Sequence, residues 1–180
     1  MRVRSYLIVI SMILLTGCAA TVKRSSTDGA MTPIPQSAAS KLVLNIDGST
    51  ASVGAGDWQD FKLEWKESFS EQAKVAGLSF EMQDGPPKPT GEDGTLLSVY
   101  IEDYRFLRPG TRYAVGIMSG NAYIESKLTF SSLKTGATFG SRSANTSSSA
   151  WQGIFSAMTN KQVEAIAVDV VGQLASAKAK

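Results

Sequence analysis

The sequence predicts a single α+β domain, a largely antiparallel sheet of four to five strands with two helices packed on one face. Three observations lead there. Short runs bounded by Gly, Pro, Asp and Ser alternate apolar with polar residues, the period of a half-buried strand. Two longer stretches instead repeat their apolar residues every three or four positions, the period of a helix. The 140 residues from Lys41 onward are enough for one hydrophobic core and not for two.

In chain order, Leu42, Val43, Leu44 and Ile46 form a first strand that ends at the turn signal Asp47-Gly48. Asp57 is placed to cap a helix whose stripe is Trp58, Phe61, Trp65, Phe69, Ala73 and Ala76, stopped by Gly77. Two tryptophans at helical spacing read as the face that seats the helix on the sheet. Leu78, Phe80 and Met82 alternate through a second strand, before Asp84-Gly85-Pro86-Pro87-Lys88-Pro89 breaks regular structure into a solvated loop to Gly94. That loop holds Glu92 and Asp93, but the spacing of a calcium-binding loop is absent.

In the third strand Leu97, Val99 and Ile101 point one way and Leu96, Ser98, Tyr100 and Glu102 the other, with a bulge or strand end expected near Asp103-Tyr104-Arg105. Pro109-Gly110, Gly116 and Gly120 mark turns, without the phosphate-cradling pattern of a nucleotide site. A fourth strand puts Ala122, Ile124, Ser126, Leu128 and Phe130 on its core face and Tyr123, Glu125, Lys127 and Thr129 on its wet face. Lys134-Thr135-Gly136 turns into a fifth strand, so the two form a hairpin. Ser143 to Ser149 reads as a polar, mobile loop. Thr159 and Gln162 fit a capping box opening a last helix with the stripe Val163, Ile166, Ala167, Val170, Val171 and Leu174, which belongs on the same sheet face as the first.

Ahead of this domain stand Arg2 and Arg4, then an apolar run from Tyr6 to Leu15 of ten residues, interrupted only by Ser11. A span across the hydrocarbon layer needs about 20 residues, so this run is a signal-peptide core and not a transmembrane helix. It closes on Leu15-Thr16-Gly17-Cys18, with the small residues Ala19 and Ala20 after it. These residues resemble the large class of bacterial lipoproteins, whose pattern is Leu, a small or apolar residue, Gly or Ala, then Cys.

The resemblance covers about the first twenty residues. It implies cleavage before Cys18, a diacylglyceryl group on the Cys18 thiol and an acyl chain on the new amine. With Ala19 rather than Asp after the Cys, it implies the outer membrane of a Gram-negative bacterium, with the domain facing the periplasm. Acyl chains contribute roughly 0.8 kcal/mol per buried CH₂, so two or three make a lasting anchor where one does not. The expected organisation is a signal peptide over 1–17, a lipidated Cys and flexible tether over 18–40, and the domain over 41–177. Such a tether would let the domain stand tens of ångströms from the lipid.

Composition narrows the chemistry. Cys18 is the single cysteine and there is no histidine, which removes internal disulfides, imidazole-based hydrolysis and the commonest zinc ligand, and no cofactor or metal is expected beyond the acyl chains. Loss of Arg2 and Arg4 leaves 16 basic against 16 acidic residues, a neutral domain with no general attraction to nucleic acid.

The element order β-α-β-β-β-β-α, with the Thr135-Gly136 turn, also resembles the small domains of unknown function carried by Gram-negative envelope lipoproteins, a resemblance that brings no catalytic or binding residues with it. The expected role is a non-enzymatic interaction or structural accessory module whose exposed sheet face or strand edge recruits a periplasmic or outer-membrane protein. Tyr100, Tyr104, Tyr123, Glu125 and Lys127 are the candidate partner surface. The alternative is a hydrolase of envelope sugars or peptidoglycan using carboxylates such as Glu102 and Asp103, although neighbours on a strand point to opposite faces.

Overall fold

The computed structural model of the chain describes residues 22–23, 31–106, 122–147 and 159–180. Its elements are β1 (Val22–Lys23), a 3₁₀ turn (Gln36–Ala39), β2 (Lys41–Gly48), a short α1 (Thr50–Val53), α2 (Trp58–Val75), β3 (Ser79–Gln83), β4 (Thr95–Arg105), β5 (Tyr123–Ser132), β6 (Thr138–Ser143), β7 (Asn145–Ser147) and α3 (Thr159–Lys178). The α+β class and the two helices on one face are as the sequence predicts. No described helix is long and apolar enough to cross a membrane.

The sheet runs β1-β7-β5-β4-β2-β3, with β6 pairing β5 beside β7. It is mixed rather than largely antiparallel, because β2 pairs in parallel with both β3 and β4. The cause is α2, which carries the chain from the end of β2 back to its start, so that β3 must run the same way. Leu42, Val43, Leu44, Asn45 and Ile46 are all buried. A run apolar on both faces is what a central parallel strand requires.

On one face of β2, Leu42, Leu44 and Ile46 meet Phe61, Trp65 and Phe69 of α2 and Val163, Ile166, Val170 and Leu174 of α3 in one cluster. Each large apolar side chain buried there contributes about 1.5–3 kcal/mol. The aromatic rings of α2 form a ladder, with Trp65 stacked on Phe69 at 5.7 Å and meeting Phe61 edge-on at 6.1 Å. On the other face, Val43, Leu96 and Leu133 make a second, small cluster.

That second cluster lies beneath the proline-rich segment. The chain leaving β3 has to return to the start of β4, and residues 84–94 do so across the face away from the helices. Asn45 Nδ2 donates to Gln83 O at 3.2 Å and Gly85 O at 2.7 Å, Gln83 Nε2 donates to Lys88 O, and Thr90 N donates to Leu133 O at 2.9 Å. The expected solvated loop is therefore a fastened strap. Its three acids are occupied, Asp84 by Lys62, Glu92 by Lys41 and Asp93 by Lys134, and no group of metal-ligating residues occurs among the described residues.

Four further expectations change. The tether predicted to reach residue 40 ends earlier, since Ile34, Ala38 and Ala39 are buried, Thr95 Oγ1 donates to Ala38 O at 2.7 Å, and Thr32 N donates to Phe139 O at 2.8 Å. Gly140 permits this contact, because its φ of 153° and the 2.8 Å a Cβ would leave to Met31 both exclude a side chain. The loop predicted over 143–149 contains β7, with Ala144 and Thr146 buried. Asp57 precedes α2 but makes no capping bond with its side chain. Thr159 and Gln162 do not form a capping box; instead Gln162 Nε2 donates to Ala122 O at 2.9 Å and Thr159 Oγ1 to Arg105 O at 3.5 Å, so that α3 holds the ends of β4 and β5 together.

Arg142 of β6 is buried beneath α3, its Nη2 2.6 Å from Asp169 Oδ2 and its guanidinium 5.4 Å from the Phe130 ring centre. Removing one partner of such a pair strands the other charge. Arg142→Ala is expected to destabilise the fold by about 3 kcal/mol in urea unfolding, the lower end for buried pairs because Asp169 keeps some solvent. Glu64 of α2 behaves oppositely, since burial, with Glu67 and Glu164 near it, raises its carboxyl above the ordinary 4.5. The folded chain then binds that proton more tightly than the unfolded chain, so stability falls as pH rises from 4.5 through the raised value. Thermal unfolding of Glu64→Gln should show a higher Tm than the parent at neutral pH and no difference in acid.

Candidate interaction surface

The strap covers only the half of the wet sheet face nearest the start of β4. Past it, cross-strand register sets Tyr100 of β4 between Asp47 of β2 and Lys127 of β5, and Asp103 of β4 beside Glu125 of β5. Tyr100 is 46% exposed, a large fraction for an aromatic ring on a strand. Glu125 and Lys127 are exposed as well. This patch combines amphipathic rings with charges of both signs.

The register shifts between Ile101 and Asp103, the bulge anticipated at this place. Glu102 is the extra residue, and everything after it changes face. Asp103 therefore lies on the wet face opposite Glu125, and Tyr104 lies opposite the buried Ile124. Tyr104 is not part of the surface. Its ring stacks on Phe61 at 4.1 Å and 8°, and its hydroxyl donates to Asp57 Oδ1 at 2.6 Å. Burial, reinforced by that carboxylate, pushes the Tyr104 phenol well above its ordinary value of 10.0.

Tyr123 remains at the surface, and its hydroxyl donates to Asp103 Oδ2 at 2.8 Å, which raises the phenol. Asp103 Oδ1 accepts the Tyr104 backbone N–H at 2.8 Å. Both oxygens of Asp103 are thus engaged in holding the bulge and orienting Tyr123. Two neighbours escaped the sequence reading. The sequence places Asp47 at a turn and Arg105 at a bulge or strand end, yet register puts the first beside Tyr100 and the second beside Tyr123. Only knowledge that β2 runs parallel to β4 brings Asp47 there. The candidate residues Leu15, Thr16, Gly17 and Cys18 lie outside the described residues, as do the turns at Pro109-Gly110, Gly116 and Gly120.

No family model matches the chain, and no curated protein does. Among solved structures, a point variant of the PelC dodecamer from Paraburkholderia phytofirmans aligns over 86% of this chain and 96% of its own, at 13% identity and a TM-score of 0.51. The two share a fold. A DUF330 protein from Xanthomonas campestris aligns over 86% and 91% at 13% identity with a TM-score of 0.44. A homologue of the neuraminyllactose-binding hemagglutinin from Helicobacter pylori aligns over 83% and 91% at 12% identity with a TM-score of 0.38.

The Tyr104 hydroxyl is open to test. Tyr104→Phe should cost about 1.5 kcal/mol at neutral pH, the low end for a hydrogen bond to a charged group. A raised phenol stabilises the fold fully below its unfolded value and loses that contribution as pH climbs through the folded one. The gap in urea midpoint between parent and variant should accordingly hold up to the ordinary phenol value of 10.0 and close above it.

Proposed function

We propose that this chain is a lipid-anchored lipoprotein of the Gram-negative outer membrane, a non-enzymatic interaction or structural accessory module facing the periplasm. The observation that carries the reading is Leu15-Thr16-Gly17-Cys18 at the end of a ten-residue apolar run that follows two arginines. Acylation of the Cys18 thiol supplies the membrane attachment. The sheet face bearing Tyr100, Tyr123, Glu125 and Lys127 supplies the contact for a protein partner, with Asp47 and Arg105 added to it and Tyr104 removed. PelC, which shares this fold, is a dodecamer.

Carboxylate hydrolysis is the weaker reading. A general acid needs a carboxyl free to exchange its proton with substrate, whereas both oxygens of Asp103 hold hydrogen bonds inside the protein.

Cys18→Ser expressed in a Gram-negative host should lose metabolic palmitate labelling and leave the membrane fraction, while the parent shows intact mass consistent with three acyl chains and an N-terminus at Cys18. Retention of an unprocessed N-terminal Met on the parent would overturn the assignment. For the surface, a Tyr100→Ala and Lys127→Glu double variant should lose a cross-linked protein partner with stability unchanged within about 0.5 kcal/mol, the usual range for exposed positions. Capture of the same partner by the double variant would remove this face from the reading.

A further inference from the structure

The described part of the segment before the domain is tied to the sheet edge. Val22 and Lys23 pair with Thr146 and Asn145 of β7, and Met31 and Thr32 lie against Gly140 and Phe139 of β6. Direction follows from register. Stepping back from Lys23 to Val22 moves from Asn145 to Thr146, towards Ser147 and its partner Tyr123. Val22, the described residue nearest to Cys18, therefore lies at the end of the sheet that carries Tyr123 and Arg105. Three residues lie between Cys18 and Val22, so the two are at most about 14 Å apart along extended backbone.

We propose that β1 acts as a clip that seats this end of the sheet, where Arg105, Tyr123 and Lys161 are found, against the headgroups of the bilayer in which Cys18 is anchored. The proposal rests on the acylation of Cys18 and adds an orientation to it. A lipid surface is the occupant because the three residues between Cys18 and β1 are too few to hold that end away from the membrane. The opposite end, at the turn between β5 and β6, then points into the periplasm, about 30 Å away by the rise of the ten-residue β5. The face with Tyr100 and Lys127 stands upright on the membrane, open sideways to a neighbouring protein. This replaces a domain on a long leash with one held at a fixed height.

The test uses the mature acylated protein reconstituted in phosphatidylethanolamine–phosphatidylglycerol vesicles doped with a nickel-chelating lipid. Acylation consumes the single native thiol, so a nitroxide can be placed on an introduced cysteine, either Arg105→Cys at the clipped end or Lys134→Cys at the far turn. Both parent side chains are exposed. Relaxation of the nitroxide by surface nickel should be several-fold stronger at 105 than at 134, and a long Gly-Ser insertion after Cys18 should erase the difference. Equal relaxation at the two sites without the insertion, or stronger relaxation at 134, would overturn the clip while leaving the anchor intact. Intact mass of the same samples separates the two failures, because an unmodified Cys18 would overturn the anchor itself.

Discussion

The need to cover both faces of β2 governs the architecture. Leu42, Leu44 and Ile46 point to one side and Val43 to the other, and all are buried, so neither side of this strand can be left to solvent without exposing a large apolar area. The helices α2 and α3 close one side. A helix pair cannot also close the other with so short a chain, and residues 84–94 take that place, a strap whose three prolines limit the entropy lost on fastening it. The parallel pairing of β2, the course of the strap and the limited extent of the open face all follow from this double burial.

What remains open is shaped by a single inserted residue. Without the bulge at Glu102, strict alternation would send Tyr104 outward beside Tyr100, and the face would carry another exposed ring. With it, Tyr104 turns in to stack on Phe61 and bond Asp57, and Asp103 turns out to meet Tyr123. The same few residues thus finish the helix-side core and fix the surface tyrosine. The bulge leaves Glu102 and Asp103 both exposed, with the two Asp103 oxygens accepting from the Tyr104 backbone N–H and the Tyr123 hydroxyl.

Much of the framework was legible because it rests on periodicity. The stripes of α2 and α3 and the alternation in β4 and β5 are large, regular signals, and the buried residues match them closely. Elements held by long-range bonds left weaker marks. Residues 31–39 contain only Met31, Ile34 and a few alanines without a period, yet pack because Thr95, Phe139 and Lys178 supply hydrogen-bonding partners from distant strands and a helix. β7 reads as a serine-rich loop, since a three-residue strand has too little pattern to detect and its burial comes from neighbours. Capping motifs misled for a related reason, as Gln162 and Thr159 have stronger uses at Ala122 and Arg105 than at their own helix terminus.

Alone, the sequence determined the α+β class, the two helix faces, the hairpin at Thr135-Gly136 and the wet row Tyr123, Glu125 and Lys127, because each depends only on residues near one another along the chain. Strand direction, the true extent of the packed segment, and the inward turn of Tyr104 were decided by the tertiary structure. Those features depend on which distant backbone groups find partners and which apolar faces need a cover, and neither quantity exists until the chain has closed on itself.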